Sequence, residues 1–276
     1  MKSKFAFLVA LLLSLTACGG ASGSVDPSSA KPVEIQVFAA ASMQESLIAV
    51  IECYKSAVPD VTVTVTYDSS GTLLRQMKEG APCDLFLSAA PRQIDALDGT
   101  LMGDKEKNPD GLDLVVEGSR IDLLENKVTL TVPEGNPAGI ESFDQLADLL
   151  KTGDVLLAVG NSDVPVGQYT QKIFAYYGID ETAVSDKLTY GSNAKEVTTL
   201  VSEAVVDCGI IYGTDAFSAG LTVVDEALPD LCGQVLYPAA VIGSGSQPEA
   251  AQAFLDYLWT DAAQACFEAG GFSPLV

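Results

Sequence analysis

Residues 33–90 read VEIQVFAAASMQESLIAVIECYKSAVPDVTVTVTYDSSGTLLRQMKEGAPCDLFLSAA, and the alternation of patterns within them decides the fold class. Residues 33–39 form a β-rich run, and 61–67 alternate Val with Thr up to Tyr67, the period of two that marks a strand. Between them, over 42–55, Met43, Leu47, Val50, Ile51 and Tyr54 recur at helical spacing. A short helix over 72–79, the turn Gly80-Ala81-Pro82 and an apolar strand over 84–88 complete the block. Strand, helix, strand, helix, strand predicts an α/β fold with a parallel, doubly wound sheet.

Working outward, the pattern is less regular over 91–126, where 105–111 (KEKNPDG) read as a polar loop. A second α/β set opens with a strand at 127–132 and a helix at 143–151, then a strand at 155–159 and helices at 167–177 and 195–205. A strand at 209–212, a strand at 234–242 and one terminal helix over 248–269 close the chain. Two such units predict two doubly wound lobes, with binding in the crevice beyond the strand C-termini. The expected division is lobe I from 33–125 plus 217–276 and lobe II from 126–216. Hinge motion is expected at 125–132 and 216–218.

Composition narrows the function. The 276 residues are 48% hydrophobic and 19% charged, which suits a packed globular protein rather than a disordered one. Asp plus Glu number 37 against 15 Lys plus Arg, and a net charge of −22 disfavours nucleic-acid binding. Histidine is absent, which removes Ser-His-Asp and Cys-His nucleophile pairs, His bases and His-containing zinc sites. No CxxC spacing occurs, so a zinc or iron–sulfur centre is not expected.

The first residues read as an export signal: Lys2 and Lys4, an apolar run over 5–13, then Leu15-Thr16-Ala17-Cys18. The run is too short for a mature membrane span. A signal peptide is expected over 1–17, with Cys18 acylated as the new N-terminus by its likeness to a lipobox, and a Gly/Ser-rich tether over 18–32. The remaining cysteines, Cys53, Cys83, Cys208, Cys232 and Cys266, are odd in number, so at least one is unpaired unless it bridges to another chain. Cys208 and Cys232 are open to pairing or to life as buried thiols.

Four segments share one design, in which a strand ends on small or hydroxyl residues and a helix begins. They are Phe38-Ala39-Ala40-Ala41-Ser42, Asp68-Ser69-Ser70-Gly71-Thr72, the stretch 161–169 (NSDVPVGQY) and Gly191-Ser192-Asn193-Ala194-Lys195. Each offers free backbone N–H groups and a helix dipole to an anion. Taken alone, each also reads as an ordinary cap or turn. Residues 160–164 lack the final Gly of a nucleophile elbow. Tyr212, at the end of the run 209–216, offers a hydroxyl to the same crevice or packs in the core. Arg75 and Lys195 read as side chains at the surface or just behind the donors of such a site.

Together, AAAS at 39–42, SSGTLLRQMKEGAPCDLFLSAA at 69–90, DVPVGQYTQ at 163–171 and GIIYGTDA at 209–216 resemble the molybdate-binding proteins of bacterial molybdate ABC transporters. The resemblance runs with gaps from Val33 to Phe272. It implies a type II periplasmic-binding-protein fold, with molybdate or tungstate held between the lobes. It also implies an extracytoplasmic, lipid-anchored monomer that serves a membrane permease and needs neither cofactor nor catalysis. Carried over residue by residue, the oxyanion ligands are the hydroxyls of Ser42, Ser70 and Tyr212 and the backbone N–H groups of Val166 and Ala194. They contact the oxygens and never the metal. Gly71 stands where a serine may otherwise stand in relatives. Two departures matter: Ala194 replaces a bulkier aliphatic residue, and residues 97–126 form a longer stretch than in relatives. A fully ionised dianion has only acceptors, so uncharged donors suit it, whereas protonated phosphate would also want a carboxylate. The rival readings are a receptor for sulfate or thiosulfate and a secreted enzyme with paired carboxylates.

Overall fold

The computed structural model describes residues 33–275. The expected signal peptide at 1–17, the acylated Cys18 and the tether at 18–32 lie outside the described residues. β1 (Val33–Ala40) runs through a single 3-10 turn at Ala41–Met43 into α1 (Gln44–Ala57), whose Leu47, Val50 and Tyr54 are buried. β2 (Val61–Asp68), α2 (Ser70–Lys78), β3 (Leu85–Leu87) and α3 (Pro91–Asp95) follow. β1 pairs in parallel with both β2 and β3, as the alternation of patterns predicts. Ser69 caps α2, its Oγ accepting the N–H of Thr72 at 3.1 Å, so the helix starts two residues earlier than its apolar spacing indicates.

β4 (Ile121–Asn126) ends in the first sheet, and after Lys127 alone β5 (Val128–Val132) begins in the second. Then come α4 (Phe143–Thr152), β6 (Leu157–Gly160), α5 (Pro165–Tyr177), β7 (Leu188–Gly191), α6 (Ala194–Ser202), β8 (Cys208–Tyr212), α7 (Gly213–Ser218) and β9 (Thr222–Glu226). Gly178, at φ 60, ends α5 in the left-handed conformation that glycine adopts without a Cβ penalty. The chain returns through α8 (Pro229–Cys232) to β10 (Val235–Val241), α9 (Pro248–Leu258), α10 (Asp261–Ala269) and β11 (Ser273–Pro274).

Strand order is β11-β4-β10-β3-β1-β2 in the first sheet and β7-β6-β8-β5-β9 in the second. Both are mixed rather than wholly parallel. β10 runs antiparallel to β3 and β4, and β5 antiparallel to β8 and β9, because these strands carry the chain between the sheets. This is an α/β fold of the two-lobed periplasmic type.

Three sequence expectations change. Residues 217–226, expected in lobe I, complete α7 and supply β9, which pairs with β5 of the second sheet. The return crossing therefore lies at 227–234 and not at 216–218. The single helix expected over 248–269 is two, because the Thr260 Oγ1 accepts the Ala263 N–H and restarts the chain as α10. β7 and β9 escaped the pattern because they are the outer strands of the second sheet, and little of either is buried.

Of the stretch 97–126, residues 97–120 cover one face of the first sheet and the rest form β4. Leu97 and Val115 are buried with Phe38, Phe86 and Ile94, and Val115 bridges to Ile242. Asn108 organises the polar loop from within. Its amide donates to the carbonyls of Asp98 and Leu112 at 2.9 and 2.7 Å, and its Oδ1 accepts the Leu112 N–H at 3.0 Å. Among the described residues, no helix is long and apolar enough to cross a membrane.

Candidate functional site

The helix starts that the sequence singles out meet where the two lobes face each other. α2 begins at Ser70 in the first lobe, and α5 begins at Pro165 in the second. A Cβ on Gly71 would collide with the backbone carbonyl of Asp163, in the turn before α5. Only glycine lets these segments approach so closely. Beside them Arg75 Nη1 reaches Asp163 Oδ2 at 2.9 Å across the cleft. On another pair of helices, Lys195 Nζ in α6 reaches Glu45 Oε2 in α1 at 2.7 Å. Arg75 and Lys195, expected at the surface or just behind the ligands, pair with acids of the opposite lobe, and Arg75 remains largely exposed.

All five sequence-predicted ligand residues are buried: Ser42, Ser70, Val166, Ala194 and Tyr212. Hydrogen bonds and one ring contact join three of them through residues the sequence reading did not single out. The Ala89 N–H donates to Ser70 Oγ at 3.0 Å, and Tyr212 OH, from the other lobe, donates to the Ala89 carbonyl at 3.4 Å. Ser42 Oγ lies 2.9 Å from Tyr237 OH, and the Tyr237 ring packs edge-on against Tyr212 with centroids 5.6 Å apart. Val166 and Ala194 occupy the first turns of α5 and α6, where N–H groups have no carbonyl a turn earlier to accept them. Their side chains belong to the same core as Tyr212 and Tyr237.

Proton directions follow from these partners. The Asn126 amide donates to Tyr237 OH at 3.1 Å and to Thr214 Oγ1 at 2.9 Å, while its Oδ1 accepts the Lys127 N–H at 2.8 Å. Tyr237 OH and Ser42 Oγ share one hydrogen bond in which either can be the donor; when the phenol donates, the Ser42 proton is left for a ligand. Ser70 is in the same state, because its oxygen accepts from Ala89. Burial pushes the phenols of Tyr212 and Tyr237 well above their ordinary range, so both remain donors.

Two cavities also open between the lobes. One is bounded by Gly71, Leu74, Ser162, Asp163 and Gln168, the other by Ala90, Pro91, Arg92, Tyr169 and Lys172. None of the five predicted residues lines either cavity. Tyr237, Asn126 and Ala89 were missed because each reads as ordinary strand or loop. The one usable signal was an Asn ending the run 121–126 at the crossing between lobes.

Asp215, near the start of α7, is a buried carboxylate whose oxygens have no well-aligned hydrogen bond, although Lys195 Nζ lies 3.3 Å from Oδ1. Burial raises its pKa to about 6, against the lowering pull of Lys195. A raised carboxylate value means that the folded state keeps a proton the unfolded chain has lost. Stability therefore rises as pH falls through about 6 and levels off near the ordinary value of 3.8. Asp215→Asn is expected to be about 1–3 kcal/mol more stable than the parent at pH 7.5, with the gap closing by pH 4. Paired urea melts at the two pH values check this, and a gap independent of pH contradicts it.

Comparison with known proteins agrees with the two-lobed reading. Residues 35–273 match the family described as bacterial extracellular solute-binding protein. YvgL of Bacillus subtilis, provisionally named as an ABC transporter substrate-binding lipoprotein, is 31% identical over 97% of this chain and 96% of its own. The molybdate-binding protein ModA of Haemophilus influenzae is 32% identical over 89% of this chain and 92% of its own. The solved structure of the sulfate-binding protein SubI from Mycobacterium tuberculosis superposes with a TM-score of 0.67 at 23% identity. It covers 88% of this chain and 87% of that one, and at such identity it speaks for the fold alone. Fold, lobe-to-lobe cleft and match over nearly all the described residues agree: the chain belongs to the bacterial extracellular solute-binding proteins.

Proposed function

We propose that this protein is the receptor of an ABC importer, capturing molybdate or tungstate between its lobes and passing it to a membrane permease. Cys18 would carry the lipid that holds it at the outer face of the membrane. The ligands are the hydroxyls of Ser42, Ser70 and Tyr212, the last turning its proton away from the Ala89 carbonyl, and the N–H groups of Val166 and Ala194.

The observation that carries this reading is the proton bookkeeping at the two serines. Ser70 already accepts the Ala89 N–H, and Ser42 can accept from Tyr237 OH, so each can turn its own O–H to a ligand with only acceptors. Arg75 is paired with Asp163 and Lys195 with Glu45 and Asp215, while Arg92 and Lys172 border the neighbouring cavity, which none of the five proposed ligands lines. Charge-assisted hydrogen bonds from uncharged groups contribute about 1.5–3 kcal/mol each, so a few of them account for tight capture.

Ser42→Ala and Ser70→Ala are each expected to weaken molybdate binding roughly tenfold to hundredfold in titration calorimetry. Unchanged affinity in both would sink the site assignment. Sulfate is the second reading, because it too is a dianion with only acceptor oxygens. Titration with molybdate, tungstate, sulfate and phosphate separates the two, and preference for sulfate overturns the metal-oxyanion assignment.

A further inference from the structure

The described cysteines divide into two kinds. Cys83, Cys208 and Cys232 are buried singly in the core. Burial pushes the Cys83 thiol up to about 12 and that of Cys208 higher still, so neither forms the thiolate that reacts. Cys53 and Cys266 differ: Cys53 is exposed and Cys266 half-buried, and their sulfurs lie 3.8 Å apart on neighbouring helices, α1 and α10. The helices are held in this register from a second point, because Gly270, just past α10, sits so close to Ser46 of α1 that a Cβ there would meet its Oγ.

We propose that Cys53 and Cys266 are a disulfide pair, closed by exchange with an external disulfide such as oxidised glutathione, and that the bond ties α10 to α1. Cys208 and Cys232, the pairing left open by sequence, are separate buried thiols. Exposed Cys53 reacts first. Its thiolate attacks one sulfur of the external disulfide, which breaks and releases one thiol, leaving a mixed disulfide on Cys53. Burial, and then Cys53, hold the Cys266 thiol above its ordinary range. At mildly alkaline pH it loses its proton, attacks the adjacent Cys53 sulfur and expels the second thiol. Two protein thiols are oxidised, one external disulfide is reduced to two thiols, and the two protein protons end on those thiols.

The odd cysteine count is thereby resolved into one reactive pair and three inert core residues. The bond would join residues 213 apart in sequence, so it removes much of the unfolded chain's freedom. An oxidising compartment, as the proposed function implies, favours the closed form, but the chemistry itself does not rest on the ligand assignment.

The test incubates the purified protein with oxidised glutathione at mildly alkaline pH, followed by thiol alkylation under denaturing conditions and peptide mass mapping. The expected product is a cross-linked peptide pair containing Cys53 and Cys266, with Cys83, Cys208 and Cys232 alkylated. Oxidation should raise the melting temperature by roughly 5–15 °C. In Cys266→Ser, Cys53 should retain the glutathione adduct, because nothing resolves it. A stable adduct on Cys53 of the wild type, a cross-link to another cysteine, or free Cys53 and Cys266 after oxidation would overturn the proposal.

Discussion

Replacing Asn126 with alanine is expected to lower stability by about 2–4 kcal/mol and to weaken oxyanion binding roughly tenfold or more. Asn126 is buried at the end of β4, one residue before the chain enters the second lobe. Its side chain serves Thr214, Tyr237 and the Lys127 backbone at once. Truncation leaves two buried hydroxyls and the part-buried Lys127 N–H short of a partner, and each buried loss costs about 1–3 kcal/mol before relaxation and water entry. The melting temperature should fall by several degrees without ligand. Binding should fall as well, because Tyr237 no longer receives a proton from Asn126 and is free to accept one from Ser42. Calorimetry of Asn126→Ala beside Asn126→Asp checks this. Lost stability with unchanged affinity would show that the chain from Asn126 to Ser42 has no bearing on the ligand.

Gly71→Val is expected to separate the two quantities. The added side chain would stand where the Asp163 carbonyl lies, and that carbonyl belongs to the other lobe. Overpacking of this kind costs about 1–3 kcal/mol, and here the cost falls on the closed arrangement alone. Ligand-free melting should barely change, while affinity drops roughly tenfold to hundredfold. Gly71→Ser, the smaller step, should fall between. Wild-type affinity in the valine variant would mean that the liganded lobes stand further apart at this point than they do here.

The alternation of strands and helices over 33–90 was readable because each element there buries one face. Leu47, Val50 and Tyr54 fall on the inner side of α1, and Leu85 to Leu87 are wholly enclosed. β7 and β9 have no such contrast, since solvent reaches much of both, and no periodicity could announce them. The break between α9 and α10 rests on one hydroxyl, Thr260, within a run that is otherwise helical throughout. At the site, the segments that begin helices were legible as caps and turns, since Ser, Gly, Asn and Pro advertise such places locally. Tyr237 and Asn126 were not, because their roles depend on partners far along the chain. Tyr237 is 195 residues from Ser42 and 111 from Asn126. Only the three-dimensional arrangement brings such distant groups within a proton's reach.

The ion pairs Arg75–Asp163 and Lys195–Glu45 span the lobes, and each has at least one largely exposed partner. Such pairs are individually weak, about 0–1 kcal/mol, and dissolved salt weakens them further. Were the lobes to part for release, as the proposed function implies, both pairs would break. They would then act on how long a captive stays more than on whether it fits. In a more saline medium the cargo should escape sooner, even though no charged side chain is assigned to grip it.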